Sequence, residues 1–351
     1  MSRYAFWLLC LVSLAHAEDV LYLYNWNNYL SAETMDRFEQ HCHCRVKQDF
    51  YSDNEEMLAK LDAGASGYDV LVPTGNAVET LIRKQALRPL DKSKLPHLAN
   101  LNPAYLDPWY DPGNTYSVPY ATTITLIGYN LEKLHELHLP VNSWALIFEP
   151  AYLAKLKGKV TVLDSQRELM SAAMRYLGHS IQSTDPAEWN AAKELIIRAK
   201  PYWAAFSNST YIKDLAIGNI WVAHGYSNDM FRAREDAKVA GRPFTIGFTM
   251  PREGAVLAVD NWVLHKSGQR PDLAYQLIDF MLDGDNAADV SNLIGAGNPN
   301  AVAWPHIRPE ITGNAALFPP LSTLGSLEML RDFGPLLRRT LSRMWTEIKV
   351  R

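Results

Sequence analysis

Apolar and polar positions alternate from Leu21 to Tyr24, with Leu21 and Leu23 on one side and Tyr22 and Tyr24 on the other, the two-residue period of a strand. The alternation stops at Asn25, and Trp26, Asn27, Asn28 and Tyr29 then bring an indole, two amides and a phenol within four residues. Ser31 reads as an N-cap with Glu33 in the first helical turn, although Thr34 stands where a full capping box would place Glu or Gln. The spacing predicts a helix over 32–41, a strand over 45–50, a helix over 54–63 with Met57, Leu58 and Leu61 on its apolar stripe, a largely apolar strand over 68–73 and a helix over 77–84. Strand ends that lead into helices are where an α/β fold exposes binding groups, so Trp26 and Tyr29 in the first loop and Thr74 and Asn76 in the second are expected at one cleft edge.

A proline-rich loop follows, and extended segments over 116–120 and 123–130 are placed to carry the chain into a second lobe. Further helices and strands are expected over 159–163, 167–177, 186–199, 208–217 and 220–223, with a late strand over 255–264 and a helix over 271–282. No internal repeat or low-complexity linker separates the halves, which argues for lobes joined by crossing strands.

Composition narrows the picture. A chain of 351 residues, 48% hydrophobic and 21% charged, is ordinary globular material with enough length for two domains. Residues 1–17 read as an export leader: a basic start at Arg3, an apolar run, and Ala15-His16-Ala17 as a small-x-small cleavage site. Trp7-Leu8-Leu9 before Cys10 lacks the small residue of a lipoprotein site. Losing Arg3 leaves the mature chain one unit more acidic than the −4 of the whole, a balance that does not invite nucleic acid. Cys42 and Cys44 lie in His41-Cys42-His43-Cys44, which could bind a metal through thiolate and imidazole. No second cluster completes a tetrahedral site, and a local disulfide or partly buried thiols is the preferred reading.

With these elements placed, several runs carry a resemblance. Tyr24-Asn25-Trp26-Asn27-Asn28-Tyr29, Asn54-Glu55, Tyr68-Asp69-Val70-Leu71-Val72-Pro73, Leu90-Asp91-Lys92-Ser93-Lys94-Leu95, Val118-Pro119-Tyr120, Ser143-Trp144, Tyr211-Ile212-Lys213-Asp214-Leu215-Ala216, Pro251-Arg252-Glu253-Gly254-Ala255 and Arg343-Met344-Trp345-Thr346 together resemble the periplasmic polyamine-binding proteins, the putrescine and spermidine receptors of bacterial ABC importers. Order and spacing carry the match over nearly the whole mature chain. The resemblance implies an α/β, two-lobed periplasmic binding protein fold with a hinge and an interlobe ligand cleft. Its lobes are expected at 18–125 with 258–303 and at 126–257 with 304–351. It also implies a monomer in the periplasm with a small cationic amine as ligand, an importer permease as partner, no cofactor and no enzymatic activity.

The resemblance assigns Trp26 and Tyr29 as an aromatic pair, Thr74 and Asn76 to a hydroxyl-bearing loop, and Glu168, Asp229 and Asp260 as acids that hold amino groups, with Tyr226 at a position often Trp. The chemistry agrees in part: an alkylammonium offers three donors and no acceptor, and its methylenes need flat apolar walls. Ring faces near the cation add roughly 0.5–2 kcal/mol. Departures are equally specific. Asn28 replaces a frequent Asp, Thr122 stands near a frequent Trp, and Ala258 and Ala296 stand where large aromatics are usual, with Trp262 placed by alternation to refill part of the space. A thin diamine would then be gripped poorly, so the expected ligand is bulkier or differently shaped than putrescine, or bound with low affinity.

Two other readings remain at this level. Gly225-Tyr226-Ser227-Asn228-Asp229 begins like a nucleophile elbow but lacks its second Gly, with His224 as an adjacent base candidate. A sensory binding protein for a different small molecule would need the same closed-lobe surface as a transport receptor. No phosphate-binding or dinucleotide-binding Gly-rich loop is present.

Overall fold

The computed structural model describes residues 19–27 and 29–351; residues 1–18, which include the leader, and Asn28 lie outside them. In the first lobe β1 (Val20–Trp26), α1 (Ala32–Cys42), β2 (Arg45–Tyr51), α2 (Asn54–Asp62), β3 (Val70–Leu71) and α3 (Gly75–Arg83) alternate, and the three strands run parallel. Short 3-10 turns lead to β4 (Ser117–Asn130), which enters the second lobe. There the chain forms α4 (Leu131–Glu136), α5 (Ala145–Phe148), α6 (Pro150–Lys155), β5 (Val160–Val162), α7 (Gln166–Tyr176), α8 (Pro186–Ala199), β6 (Ala205–Phe206) and α9 (Thr210–Ile217). Next come β7 (Val222–Tyr226), α10 (Ser227–Val239) and β8 (Ile246–Thr249). β9 (Ala255–Leu264) returns to the first lobe, completed by α11 (Pro271–Leu282) and α12 (Gly284–Ile294). A third crossing runs through α13 (Pro309–Thr312) and β10 (Leu327–Glu328) to α14 (Pro335–Val350), whose Leu341, Met344 and Ile348 join the second core.

The strands lie in the order β2-β1-β3-β9-β4-β7-β5-β6, with β10 beside β9 and β8 beside β4. The antiparallel pair β4 and β9 is the link. β4 pairs with β9 from Ser117 to Thr125 and with β7 from Thr125 to Tyr129, so the changeover between lobes falls at Thr125. Every residue of β4 is buried, and its register shifts between Pro119 and Ala121, where the proline cannot donate to a ladder. Leu21 and Leu23 of β1 face one core with Met35 and Phe38, while Tyr24 faces the other with Met57 and Leu81, as the two-residue period requires.

Periodicity finds the strongly amphipathic elements and misses those built from small or charged residues. The predicted extended segments over 116–120 and 123–130 form one strand, because Ala121 and Thr122 between them stay in the β9 ladder. α10 carries alternating charges and buries Met230, Phe231, Ala233 and Ala237, so it displays no strong stripe, and α12 packs through Ala287, Ala288 and Ser291, small residues that do not stand out as an apolar run. α3 begins at Gly75, two residues before the predicted start, and a Cβ there would sit 2.5 Å from the Tyr110 ring. Cys42 and Cys44 are joined to each other, which leaves no thiolate for a metal. Among the described residues no helix is long and apolar enough to cross a membrane.

The predicted strand over 68–73 keeps only Val70 and Leu71 in regular pairing. Asp69 serves instead as a tie. Its buried carboxylate accepts from the amides of Tyr22 (2.9 Å), Gln269 (2.7 Å) and Arg270 (2.8 Å), fastening β1 to the turn that leads from β9 into α11. Asp69→Ala strands these three donors and is expected to cost about 2–4 kcal/mol, read as a lower urea midpoint with an unchanged slope.

Candidate functional site

Asp260 lies where β9 passes between the lobes and is 2% exposed. Its carboxylate accepts from the Tyr29 hydroxyl (3.0 Å) and the Thr74 hydroxyl (2.9 Å). Thr74 is fixed in turn by Asn54 at the start of α2, whose amide donates to the Thr74 hydroxyl (2.9 Å) and accepts from its backbone N–H (3.2 Å). Burial raises the Asp260 carboxyl to about 7, and the hydroxyl donors offset only part of that. The Trp26 indole N–H has no partner at hydrogen-bond geometry, yet it is near enough to Asp260 to favour its charged form.

Aromatic rings wall this carboxylate. Trp26 lies 4.6 Å from Tyr51 and 6.0 Å from Tyr29, and Tyr29 lies 6.3 Å from Tyr120. Tyr51 and Tyr120 both feel the Asp260 charge. The Tyr51 hydroxyl donates to the Val72 carbonyl (2.5 Å), whereas the Tyr120 hydroxyl is buried and unpartnered. Trp262 is wholly buried beneath Tyr120 at 4.2 Å, in the same cluster as Tyr29 and Ala296. The small side chain at Ala296 is therefore packed by neighbouring rings, while Ala258 keeps some exposure on β9.

The second lobe contributes two further acids. Asp229, in the first turn of α10, accepts a very short hydrogen bond from the Tyr211 hydroxyl of α9, and burial raises it to about 6. Glu168 is the third residue of α7, where Ser165 caps its amide (3.4 Å). A capping-box glutamate would reach back to the cap. Glu168 instead turns inward to accept from the Thr125 hydroxyl (2.7 Å); it is 7% exposed, and burial raises it to about 7.

The three acids act on shared tyrosine neighbours. Tyr29 is pushed well above its ordinary range by burial, then by Asp260 and, more weakly, by Asp229 of the opposite lobe. Tyr226 is raised likewise by burial, then by Glu168 and Asp229. The hydrogen bonds these carboxylates accept come from neutral hydroxyls. Arg167 acts on Glu168 only weakly, its guanidinium being paired with Glu55 at 3.2 Å. Volume alone would point elsewhere. A hollow of about 560 Å³ at Arg37, Asp285, Asp289 and His306 holds acids already paired with that Arg and His, and one of about 360 Å³ lies at Tyr105, Thr122, Trp304 and Phe318. Neither contains a buried, uncompensated charge, which makes the interlobe acids the stronger candidate.

Of the residues expected from sequence, Trp26, Tyr29, Thr74 and Asp260 meet at the first lobe, and Glu168, Tyr226 and Asp229 at the second. Asn76 is buried in the first turn of α3, two residues beyond Thr74, and Asn28 lies outside the described residues. Tyr51, Tyr120, Tyr211 and Thr125 carry no mark of a site in the sequence, because an aromatic or β-branched residue on a buried element looks like core. The nucleophile-elbow reading finds no Ser–His pair. Ser227 accepts from the Ile124 amide (3.1 Å), and His224 accepts from the Leu163 amide (3.3 Å), packs on Trp144 and is lowered by burial to about 3.

The profile of the bacterial extracellular solute-binding proteins matches residues 33–319. A putrescine/cadaverine-binding protein of Pseudomonas aeruginosa is 57% identical over 337 residues, covering 96% of this chain and 95% of that protein. The putrescine-binding periplasmic protein PotF of Escherichia coli is 34% identical over 344 residues, covering 96% and 93%. Among solved structures, the spermidine/putrescine transporter substrate-binding protein PotD of Streptococcus pneumoniae superposes with a TM-score of 0.82 at 25% identity, over 95% of this chain and 99% of that one.

The raised carboxyls bear on stability. Each binds its proton more tightly folded than unfolded, so its contribution is complete below about pH 4 and is lost as pH rises through 6–7. Asp260→Asn removes one such group. The ligand-free variant is expected to gain about 2–4 kcal/mol on wild type between pH 5 and pH 8, measured by urea unfolding at both values.

Proposed function

Since the chain belongs to the bacterial extracellular solute-binding proteins, we propose that it captures a short aliphatic diamine between its lobes and delivers it to the membrane permease of an ABC importer. The observation that carries this reading is the set of three carboxylates, Glu168 and Asp260 buried and Asp229 partly buried, contributed by both lobes and satisfied only by neutral hydroxyls. Such a set is costly when ionised and empty, and an ammonium group supplies both the missing charge and up to three donors. Trp26, Tyr29, Tyr51 and Tyr120 offer flat walls for methylenes and ring faces for the cation. The putrescine and cadaverine named for the relatives are ligands of this chemistry.

Asp260 would hold one ammonium at the first lobe, and Asp229 with Glu168 the other at the second. Tyr29 and Thr74 orient the first carboxylate, with Asn54 holding Thr74; Tyr211 and Thr125 orient the other two. Capture would act as a clamp: each lobe brings acids that repel one another until a dication lies between them. The small side chain at Ala258, which keeps some exposure on β9, leaves more room than an aromatic residue would, which favours the five-carbon diamine over the four-carbon one. An oxidising location outside the cytoplasmic membrane is supported by the Cys42–Cys44 disulfide and by the leader pattern.

Titration calorimetry tests this. Cadaverine is expected to bind more tightly than putrescine, with a neutral diol of equal length silent; absence of heat from every diamine would sink the reading. Asp260→Asn and Asp229→Asn should each weaken binding by at least about tenfold, or 1.4 kcal/mol. Because the acids near 7 lose protons when an ammonium arrives, affinity should rise with pH from 5.5 to 7.5. The heat at pH 6.5 should then depend on the ionisation enthalpy of the buffer, as released protons require.

A further inference from the structure

The segment between β10 and α14 is fastened to the second lobe on both sides of a contact with the first. Glu328 pairs with Arg175 and accepts from the Ser180 hydroxyl (2.5 Å) and the Ile181 amide (3.2 Å), and Gln182 donates to the Met329 carbonyl (3.3 Å). Leu330 and Phe333 pack on the second core, with the Phe333 ring 5.6 Å from Trp189. Between these anchors Arg331 and Asp332 turn toward the first lobe. The Arg331 guanidinium lies 4.3 Å from the centre of the Trp109 ring. The Asp332 carboxylate accepts from the Thr80 hydroxyl (3.0 Å) and pairs with Arg83, both on α3, while its backbone N–H donates to Glu79 (3.0 Å). Arg338 of α14 approaches the other carboxylate oxygen at 3.7 Å.

We propose that Asp332 is an interlobe latch, a positioning residue that holds α3 of the first lobe against the second and so sets how tightly the closed cleft retains its ligand. The inference rests on the reading that ligand is captured by closure. The Asp332 side chain is 1% exposed, so its charge is desolvated and tied to a cation from each lobe. Both cations are half-exposed while the carboxylate between them is not, so losing the first-lobe partners leaves a desolvated charge poorly paired. Separating the lobes breaks the Thr80 and Arg83 contacts while the flanking anchors stay with the second lobe. The latch therefore stabilises the closed form alone, and apparent affinity scales with the population of that form.

The contact also leads to the site through packed groups. Trp109 meets Tyr110 edge-on at 5.6 Å, and Tyr110 donates to the Asn261 side chain (3.1 Å) and lies against Gly75. Asn261 and Gly75 are the chain neighbours of Asp260 and Thr74. A latch on this side thus bears on the backbone that presents both groups to the cleft.

Two variants of the full mature chain test the proposal. Asp332→Asn keeps the shape and the Thr80 contact but removes the charge, and the exchanged pair Arg83→Asp with Asp332→Arg restores opposite charges. X-ray scattering of the ligand-free protein at pH 5, where the cleft acids hold their protons and do not push the lobes apart, should give a larger radius of gyration for Asp332→Asn, and stopped-flow release of cadaverine at pH 7.5 should quicken about tenfold with association unchanged. The exchanged pair should return both toward wild type. Unchanged scattering and release in Asp332→Asn would overturn the latch, as would a lower unfolding midpoint without either change, which marks a residue needed for folding alone. Should wild type bind no diamine, the ligand reading fails by itself and the scattering comparison still decides the latch.

Discussion

A carboxylate taken out of water without a cation is among the most expensive groups a protein can bury, and this chain buries Glu168 and Asp260 and partly buries Asp229. Hydroxyl donors soften the cost without cancelling it. The folded chain carries a stored electrostatic debt that only protons or an incoming cation can relieve. Much of the surrounding architecture serves to hold these acids in place: Asn54 steadies Thr74, Tyr211 steadies Asp229, and Glu168 forgoes a local helix cap to face inward. A site made of groups that dislike their surroundings is selective by nature, since a neutral solute leaves that cost unrelieved.

The acids come from both lobes, and the link between lobes is a ribbon of two long antiparallel strands. Asp260 sits on that ribbon and Thr125, which holds Glu168, marks where β4 changes partners. The charged groups are thus placed close to the axis about which the lobes would turn. Groups near an axis move little during rotation. This arrangement keeps the acids in register while the outer contacts form and break.

Much of this organisation is legible in the residues and some is not, for physical reasons. β1, α8, β9 and α11 announce themselves by period, because each buries one well-defined face or is buried throughout. Trp26 and Tyr29 stand out because the alternation breaks just before them. Asp260 and Glu168 can be singled out only by resemblance: an acid within a buried strand or at a helix start has no local mark that separates it from a solvated one. Tyr51, Tyr120 and Tyr211 are invisible for the opposite reason, since their function as walls and donors is indistinguishable from packing until the partner carboxylates are seen. Asp332 has no periodic context at all. It lies in an irregular connection, where meaning comes only from what folds against it.

The threading of the chain has a consequence for its biogenesis. The first lobe needs β9 at Ala255–Leu264 to pair with β3, and the second needs α14 at the far end to cover Trp189 and its neighbours. Neither half can complete itself from a contiguous stretch of newly made polypeptide. Contacts between distant parts of a sequence form slowly, because the intervening chain must first be closed into a loop. During synthesis the polypeptide therefore lacks the partners for a stable globule until most of it has emerged.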